Sequence, residues 1–320
     1  MGWDHDVTSR VRVAVIGRTG MLLEAGRRIA SDGHEIGLVA TCRSSGHEEA
    51  QEADFARWAN DIGAPLVSKG RLDSPEILSA IASAGCDMAI SMNWLSLLPA
   101  SVRDCFRHGI FNAHPGDLPR FKGNACPNWA ILTGEPHAVL TIHRMDDALD
   151  SGPIASKSSY PLGDTTTIAD VYRWLHMAVP DAFVALVRSV AEGGLDLRPQ
   201  NSNPEAGLRC YPRRPEDGRI EWKAPATEIS RLVRASGKPF GGAFTYLEGS
   251  RRLTVWSADI VVAQEPFLAV AGQVASSIAG DPLICCGADY LRLTDVTLEG
   301  EDDPVVAKKL VLSSLRNRLI

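Results

Sequence analysis

The sequence predicts an α/β domain built around a parallel sheet, followed by a smaller β-rich domain. Apolar runs alternate with helical stretches between residues 11 and 193, a pattern typical of a parallel sheet with helices on both faces. A segment rich in Pro, Asn and Gly at 196–207 is the best candidate for a linker. Beyond it, short apolar runs spaced by Gly, Asp and Pro indicate a small β-barrel.

The individual elements follow from the hydrophobic pattern and its stop signals. Strands are predicted at 11–17, 36–42, 65–68, 87–91, 109–113, 139–143 and 153–158, and helices at 20–32, 48–61, 74–84 and 166–193. Gly33 is placed to end the first helix, and Pro180 is expected to kink or split the long one. One helix is predicted in the second domain, at 226–236. The predicted domains are therefore 10–196 and 207–320.

Composition and charge argue against several classes of protein. Hydrophobic residues make up 45% of the 320 residues and charged residues 22%, close to the average of folded globular proteins. The formal net charge of −6 argues against an electrostatic grip of the whole chain on nucleic acid. The seven cysteines form no CxxC pair or Cys/His ladder, which argues against a disulfide framework or a zinc site.

Targeting signals are not expected in this chain. No apolar run reaches the roughly 18 residues that span a bilayer, and the N-terminal MGWDHDVTSR is too polar and acidic for a signal peptide. Together with the cysteine pattern, these observations favour a cytoplasmic protein without a membrane partner.

The first strand-to-helix turn, GRTGMLLEAG, argues against a nicotinamide cofactor. It contains Gly17 and Gly20 but not the GxGxxG spacing of a dinucleotide site. No convincing acidic residue ends the second predicted strand, where a ribose would be held. The turn is therefore interpreted as a tight connection only.

Residues 109–150 carry the best candidates for chemistry. Asn112 and His114 end a predicted strand, where open α/β sheets place their binding crevice, and residues two apart on a strand point to the same side. Asp150 begins a loop beyond the VLTIH strand and can reach His114 if the two strand ends are neighbours. An amide, an imidazole and a carboxylate suit acyl transfer to an amine. The competing interpretation is a loop histidine capped by a nearby carboxylate.

The same stretch resembles the folate-dependent formyltransferase family. It contains N-x-H-P, then x-x-L-P-x-aromatic-x-G, W-A-I, H-R-M and D-x-G-P, carried by Asn112, His114, Pro115, Leu118, Pro119, Phe121, Gly123, Trp129, His143, Met145, Asp150 and Gly152. In the second domain, RCYPRRPEDGRIEW, ISRLVRA and PFGGAFTY resemble the domain appended to methionyl-tRNA and amino-sugar formyltransferases. Together the matches cover most of residues 10–260.

The resemblance implies a Rossmann-like catalytic domain, an OB-like barrel and 10-formyltetrahydrofolate as formyl donor, with no metal. It assigns Asn112 to stabilising the oxyanion, His114 to the general base, and Asp150 to raising the basicity of His114. It also implies that the pterin of the folate lies against one loop, that Met92 forms the second wall of that slot, and that Asn124 is a further folate-binding residue. The residues of that loop are Asp146, Asp147, Ala148, Leu149 and Asp150.

The sequence also departs from the family pattern. The usual Ser-Leu after the His-Pro step is Gly116-Asp117, which alters the loop near the folate. Some relatives carry an arginine after the loop glycine, where this chain has Asn124. Outside the triad, His143 and Trp129 are interpreted as structural residues, and Trp94 as either a stacking surface or packing. Arg213 and Arg214 with Glu216 and Asp217 are interpreted as a solvated ion network.

The charge of the second domain bears on the amine acceptor. Residues 203–320 contain 15 Lys/Arg and 15 Asp/Glu, a net charge of zero, whereas binding a tRNA calls for a basic surface. The charge therefore favours a small acceptor. The segment PRRPEDGRIEW resembles most closely the version found beside amino-sugar formyltransferases, and this resemblance implies a nucleotide-linked amino sugar. A hydroxyornithine-type amine and methionyl-tRNA stay open, as do a homodimer and a non-catalytic nucleic-acid-binding module.

Overall fold

A computed structural model describes residues 9–44 and 48–320 of the chain. The prediction about a signal peptide therefore lies mostly outside the described residues. The chain divides into two compact units. Unit 1 contains the residues up to Gly123, Val139–Tyr160 and Tyr172–Cys210, and unit 2 contains Asn124–Ala138, Pro161–Val171 and Tyr211–Ile320.

Strands and helices alternate through most of unit 1, whereas strands dominate the second half of unit 2. In chain order the elements are β1 Arg12–Gly17, α1 Gly20–Ser31, β2 Glu35–Thr41, α2 Glu52–Asp61, β3 Leu66–Ser68, α3 Pro75–Ser83, β4 Met88–Met92, α4 Ala100–Arg103, β5 Ile110–His114, β6 Lys122–Gly123, α5 Cys126–Thr133, β7 His137–Arg144, β8 Ile154–Pro161, α6 Ile168–Ala191, β9 Arg209–Cys210, α7 Ala226–Ser236, β10 Ala243–Leu247, β11 Arg251–Val261, β12 Val274–Ile278, β13 Asp281–Cys285, β14 Tyr290–Leu298 and α8 Pro304–Val311.

The large sheet has the strand order β3-β2-β1-β4-β5-β7-β8. The pairs β2–β3, β1–β2, β1–β4 and β4–β5 are parallel, which confirms the predicted mostly parallel sheet. Because β1 has β2 on one side and β4 on the other, the order reverses here, and open α/β sheets bind ligands at such points.

Local sequence explains why these segments form the layers of the α/β unit. All residues of β1 after Arg12 are buried, as expected of a strand covered on both faces. Helix α1 begins after Thr19, whose side chain accepts a hydrogen bond from the Leu22 amide. Ser74 caps α3 in the same way, with Pro75 at the first helical position.

The pair formed by β5 and β7 is antiparallel, and it positions the site described below. Strand β7 pairs with β5 so that Asn112 lies opposite His143 and His114 lies opposite Thr141. The end of β5 and the middle of β7 therefore present their side chains at neighbouring places on the sheet.

Unit 2 contains an antiparallel five-stranded sheet in the order β10-β11-β14-β13-β12. Residues near 320 pair with both ends of this order. Ile320 exchanges two backbone hydrogen bonds with Tyr246 in β10, and Leu319 donates to the Gly272 carbonyl just before β12. The sheet is thereby closed around buried Leu319, which confirms the predicted barrel-like domain.

The long helix α6 departs from two expectations. It runs from Ile168 to Ala191 without a break at Pro180, so the predicted split is wrong. Pro180 is buried, and packing of its neighbours holds the helix together across the missing hydrogen bond. By length and composition this helix is also apolar enough to cross a bilayer, with 39% of its most apolar window buried. The prediction that no apolar stretch is long enough to span a bilayer is therefore wrong. A core helix of a globular protein meets the same criterion.

Candidate active site

His114 lies at the end of β5 and is 4% exposed. Its Nε2 atom is 2.7 Å from the carbonyl oxygen of Phe121, and its Nδ1 atom is 3.6 Å from Oδ2 of Asp150. The residues that separate them in sequence form a loop that returns to the strand end. The structure therefore brings the predicted imidazole and carboxylate together.

Asp150 follows β7 in a tightly constrained turn. Its backbone is left-handed, with φ of 49°, a conformation that is uncommon for residues other than glycine. Its Oδ2 atom accepts a hydrogen bond from the Gly123 amide at 2.8 Å. A Cβ at Gly152 would lie 1.8 Å from the Arg144 carbonyl oxygen, so the D-x-G spacing reflects a close backbone approach. The turn therefore aims the carboxylate at the end of β5.

His143 joins this group, although its position in the sequence favoured a structural role. Its Nε2 atom is 3.6 Å from Asp150 Oδ1 and 3.3 Å from Nδ2 of Asn112. The residue is 2% exposed, and the ring centroids of His143 and His114 are 6.2 Å apart. Asp150 thus lies between two imidazoles. The strand register would have revealed this, but alternation along one strand does not specify its partner.

Burial and the paired charges set the protonation of this cluster. Burial lowers the pKa of His114 below its ordinary value, and the charge of Asp150 only partly opposes this effect. For Asp150, burial acts to raise the pKa, but the neighbouring His143 and the charge of His114 lower it overall. At neutral pH the site therefore holds a neutral His114 beside an ionised Asp150. The charge of Asp150 acts to raise the pKa of His114, but the effect of burial is larger.

The other residues predicted to hold the folate lie in the turn from Asp146 to Asp150. The Asp146 carboxylate accepts from the Ser151 hydroxyl at 2.5 Å and from the Ala148 amide at 3.2 Å, so it shapes the turn. Asp147 is exposed and pairs with Arg103 of α4. Ala148 is exposed and Leu149 is half-buried.

Gln200, in the predicted linker, also supports this turn. Its Nε2 donates to the carbonyl oxygens of Asp150 and Gly152 at 2.9 and 2.7 Å. The predicted linker is therefore partly integrated into unit 1, where Arg198 also forms a bridge to Ile154. Sequence analysis did not single out Gln200, because a lone polar residue in a Pro-rich stretch carries no distinctive signal.

Met92 and Asn124 were the remaining candidates for the folate slot. Met92 ends β4 and is buried, with its sulfur 3.3 Å from the Thr19 hydroxyl. Asn124 is exposed and belongs to unit 2, where it precedes α5. Neither position by itself indicates a ligand contact.

In unit 2, Trp129 has the structural role expected of it, whereas Arg213 departs from the predicted solvated ion network. Trp129 is half-buried, and its indole donates to the Tyr211 carbonyl oxygen at 2.9 Å. Arg213 lies over the Trp129 ring, 5.7 Å from its centroid, and donates to the Asp217 carbonyl oxygen at 2.8 Å. Arg213 therefore makes a stacked contact and a backbone hydrogen bond here.

Two buried N–H groups of unit 1 suggest where an acceptor-rich ligand would bind. Within residues 9–44 and 48–320, Trp94 Nε1 and Arg103 Nε have no hydrogen-bond partner. Trp94 follows β4, and Arg103 pairs with Asp147 of the turn described above. In the same described part of the chain, no group of three or more His, Cys, Asp and Glu side chains is arranged to hold a metal ion.

Comparison with solved structures reveals proteins of similar fold. WlaRD, a sugar 3N-formyl transferase crystallised with dTDP and 5-N-formyl-THF, is 14% identical with a TM-score of 0.62, over 92% of this chain and 99% of that chain. An N-formyltransferase from Helicobacter canadensis, in complex with folinic acid and dTDP-3-aminofucose, is 13% identical with a TM-score of 0.62, over 88% and 98%. HypX from Aquifex aeolicus, in complex with tetrahydrofolic acid, is 16% identical with a TM-score of 0.60, over 94% and 47%.

These likenesses are all below 20% identity and establish a shared fold. This chain spans about half the length of HypX, so it corresponds to only part of that protein. The family comparison goes further. A family described as "Formyl transferase" matches residues 11–187, and "Formyl transferase, C-terminal domain" matches residues 213–308. Because the first match alone covers more than half of the chain, this protein belongs to the formyl transferase family.

Proposed function

We propose that this protein transfers a formyl group from 10-formyltetrahydrofolate to the primary amine of a small acceptor. The observation that carries the proposal is the convergence of Asn112, His114 and Asp150 at the ends of β5 and β7. Family membership supports the reaction class, because the match to the formyl transferase family covers residues 11–187, the segment that contains all three side chains.

The roles of the three residues follow from their chemistry. His114 is neutral in its buried position and takes the proton that the amine loses as its nitrogen bonds to the formyl carbon. Asn112 donates from its amide to the oxygen on which negative charge develops. Asp150 stabilises the imidazolium that results. His114 then returns its proton to the departing nitrogen, so the residue ends the cycle unchanged.

The residues around the turn fit a folate. The pterin and its amide tail carry carbonyl and ring-nitrogen acceptors, and Trp94 and Arg103 hold buried donors without partners in the described part of the chain. The turn from Asp146 to Asp150, held by Arg103 and Gln200, would form one wall, and Met92 the second. The bound folate supplies the one-carbon group. Asn124 is proposed as a further contact with the folate.

For the acceptor we propose a nucleotide-linked amino sugar. Two proteins of similar fold match nearly the whole of this chain. The sugar 3N-formyl transferase WlaRD was crystallised with dTDP, and the Helicobacter canadensis enzyme with dTDP-3-aminofucose. The zero net charge of residues 203–320 also favours a small acceptor over a tRNA. Residues 10–196 would carry the reaction and 207–320 the appended domain, in a cytoplasmic protein that needs no metal.

Purified protein with 10-formyltetrahydrofolate and a panel of amines tests this proposal. We expect tetrahydrofolate release to accelerate with a dTDP- or UDP-linked amino sugar and not with hydroxyornithine, glycinamide ribonucleotide or methionyl-tRNA. In a parallel assay, His114→Ala should lose turnover while its circular dichroism spectrum and melting temperature stay close to wild type.

Two outcomes would overturn the proposal. One is wild-type turnover in His114→Ala. The other is the absence of amine-dependent tetrahydrofolate release together with salt-sensitive retention on immobilised RNA, which would favour the nucleic-acid-binding alternative. Turnover with a different amine of the panel would keep the reaction and replace the acceptor.

A further inference from the structure

Oxygen atoms face both ring nitrogens of His114, and this restricts where the ring carries its proton. Nε2 is 2.7 Å from the Phe121 carbonyl oxygen, and Nδ1 is 3.6 Å from Asp150 Oδ2. A carbonyl oxygen only accepts hydrogen bonds, so a contact of 2.7 Å requires the proton on Nε2. In the neutral ring, Nδ1 is therefore the basic nitrogen.

Gly116 makes the contact with Phe121 possible. A Cβ at this position would lie 2.3 Å from the Phe121 carbonyl oxygen and 2.5 Å from His114 Nε2. Both separations are far inside van der Waals contact, so any side chain at 116 would force the carbonyl and the imidazole apart.

Other contacts hold the loop in this conformation. The hydroxyl of buried Thr141 on β7 donates to the Gly116 carbonyl oxygen at 2.7 Å. Lys157 on β8 pairs with Asp117 at 2.6 Å and also donates to the Leu118 carbonyl oxygen. Phe121 has a left-handed backbone, with φ of 53°, at the point where its carbonyl meets His114. The arrangement is therefore anchored on two neighbouring strands.

We propose that Gly116 is a positioning residue: it allows the Phe121 carbonyl to hold His114 with its proton on Nε2, so that Nδ1 accepts the proton of the attacking amine. The inference rests on the general-base role proposed for His114. It adds which nitrogen acts, and which contact the absence of a side chain at position 116 makes possible.

The proton balance follows from the two oxygen acceptors. As the amine N–H bond breaks, a new N–H bond forms at Nδ1, and the imidazolium then has one N–H facing Phe121 and one facing Asp150. The neutral ring donates only to the Phe121 carbonyl oxygen. The contact between Nδ1 and Asp150 therefore strengthens when Nδ1 gains its proton. Among the described residues, the other titratable group that faces this pair is His143, whose Nε2 is 3.6 Å from Asp150 Oδ1.

The tautomer can be measured without any substrate. Long-range ¹H–¹⁵N spectra of the full-length protein, with the His114 signals identified by their loss in His114→Gln, distinguish the two neutral forms of the ring. We expect His114 to carry its proton on Nε2. A proton on Nδ1 would overturn the proposal, whether or not the protein transfers formyl groups.

Gly116→Ala tests the positioning role. We expect kcat to fall about tenfold, because His114 loses one hydrogen bond. KM for the formyl donor should stay within about twofold of wild type. The acid limb of the kcat profile should move to lower pH, because the Phe121 hydrogen bond acts to raise the pKa of His114. The His114 spectrum should change to mixed tautomers. Gly116→Ala with the wild-type tautomer and pH profile would contradict the proposal.

Gly70→Ala is the matched control. Its backbone is not left-handed, and an added Cβ would meet only Leu95 Cδ1 at 3.9 Å, so activity and spectrum should be unchanged. If Gly116→Ala does not fold, Thr141→Val takes its place, because it removes the hydroxyl that anchors Gly116 and keeps the side-chain shape. It should shift the acid limb in the same direction, and an unshifted limb would contradict the proposal.

Discussion

Two largely buried aspartates of the molecule differ in the partners that surround them. Asp281, at the start of β13, accepts from Arg292 Nε at 2.9 Å and from Lys308 Nζ at 2.7 Å. Asp150 has the Gly123 amide at 2.8 Å and two imidazole nitrogens at 3.6 Å. The two carboxylates are similarly shielded, with side chains 12% and 11% exposed.

The pKa is lowered in both aspartates, but the cause differs between Asp281 and Asp150. Burial acts to raise the pKa of Asp281, and hydrogen bonds from Lys308 and Arg292 lower it overall. Those partners are permanent cations, so the cluster is complete at every ordinary pH and joins β13, β14 and α8. The partners of Asp150 can gain and lose protons, so the strength of its contacts changes with protonation. Permanent partners indicate a structural role, and titratable partners at long distance indicate a site poised for proton transfer.

The largest expected effect separates the two carboxylates by activity. Asp150→Asn should lower kcat/KM by about 10²–10⁴-fold, because the imidazolium of His114 loses its counter-charge. Asp281→Asn should leave kcat/KM within about twofold of wild type. Both are measured by tetrahydrofolate release with the acceptor found in the panel. Equal losses in the two variants would show that the comparison is wrong.

The second prediction separates them by stability. Asp281→Asn should lower the free energy of unfolding by about 1–3 kcal/mol, because Lys308 and Arg292 then face a neutral amide. Asp150→Asn should change it by less than about 1 kcal/mol, since its histidine contacts are long. Urea denaturation followed by tryptophan fluorescence measures both. A greater loss in Asp150→Asn than in Asp281→Asn would contradict the structural role of the Asp281 cluster.

The third prediction tests the imidazole on the far side of Asp150. His143→Gln removes a partner of both Asp150 and Asn112, and we expect kcat to fall about five- to tenfold with little change in KM. Steady-state kinetics measure the effect, with His176→Gln as a control, since His176 is only partly buried and pairs with Glu49. A loss as large as that of His114→Ala would assign the proton transfer to His143 instead.

The smallest effect is a displacement of the pH profile. Because burial lowers the pKa of His114, the acid limb of kcat/KM should lie below pH 6.5. Folding favours the neutral form of His114. Its contribution to the free energy of unfolding is therefore fully present above its pKa in the unfolded state, and it is lost as the pH falls through its pKa in the folded state. Asp150→Asn should move the limb further down, and Asp281→Asn should leave it in place. A limb above pH 6.5 in the wild type would contradict the buried neutral imidazole.

Local pattern predicted most of the large sheet and all three residues of the proposed triad. Strands β1 to β5 and helix α7 lie within a few residues of their predicted ranges, because apolar periodicity and capping residues act over short stretches of chain. Asn112, His114 and Asp150 could be proposed from the sequence because a strand end and a following loop have fixed places in an open sheet. Helices α4, α5 and α8 carry weaker local signals.

Contacts between distant segments of the chain decided the rest. The antiparallel register of β5 and β7 placed His143 beside Asn112, and a returning loop placed the Phe121 carbonyl on His114. Gln200 reached the Asp150 turn from about 50 residues away, and residues near 320 closed the barrel. Sequence alone determined which chemical groups the protein has, because side-chain identity and local propensity are written residue by residue. Only the tertiary structure decided which of those groups meet, because backbone pairing between remote strands leaves no local trace in the sequence.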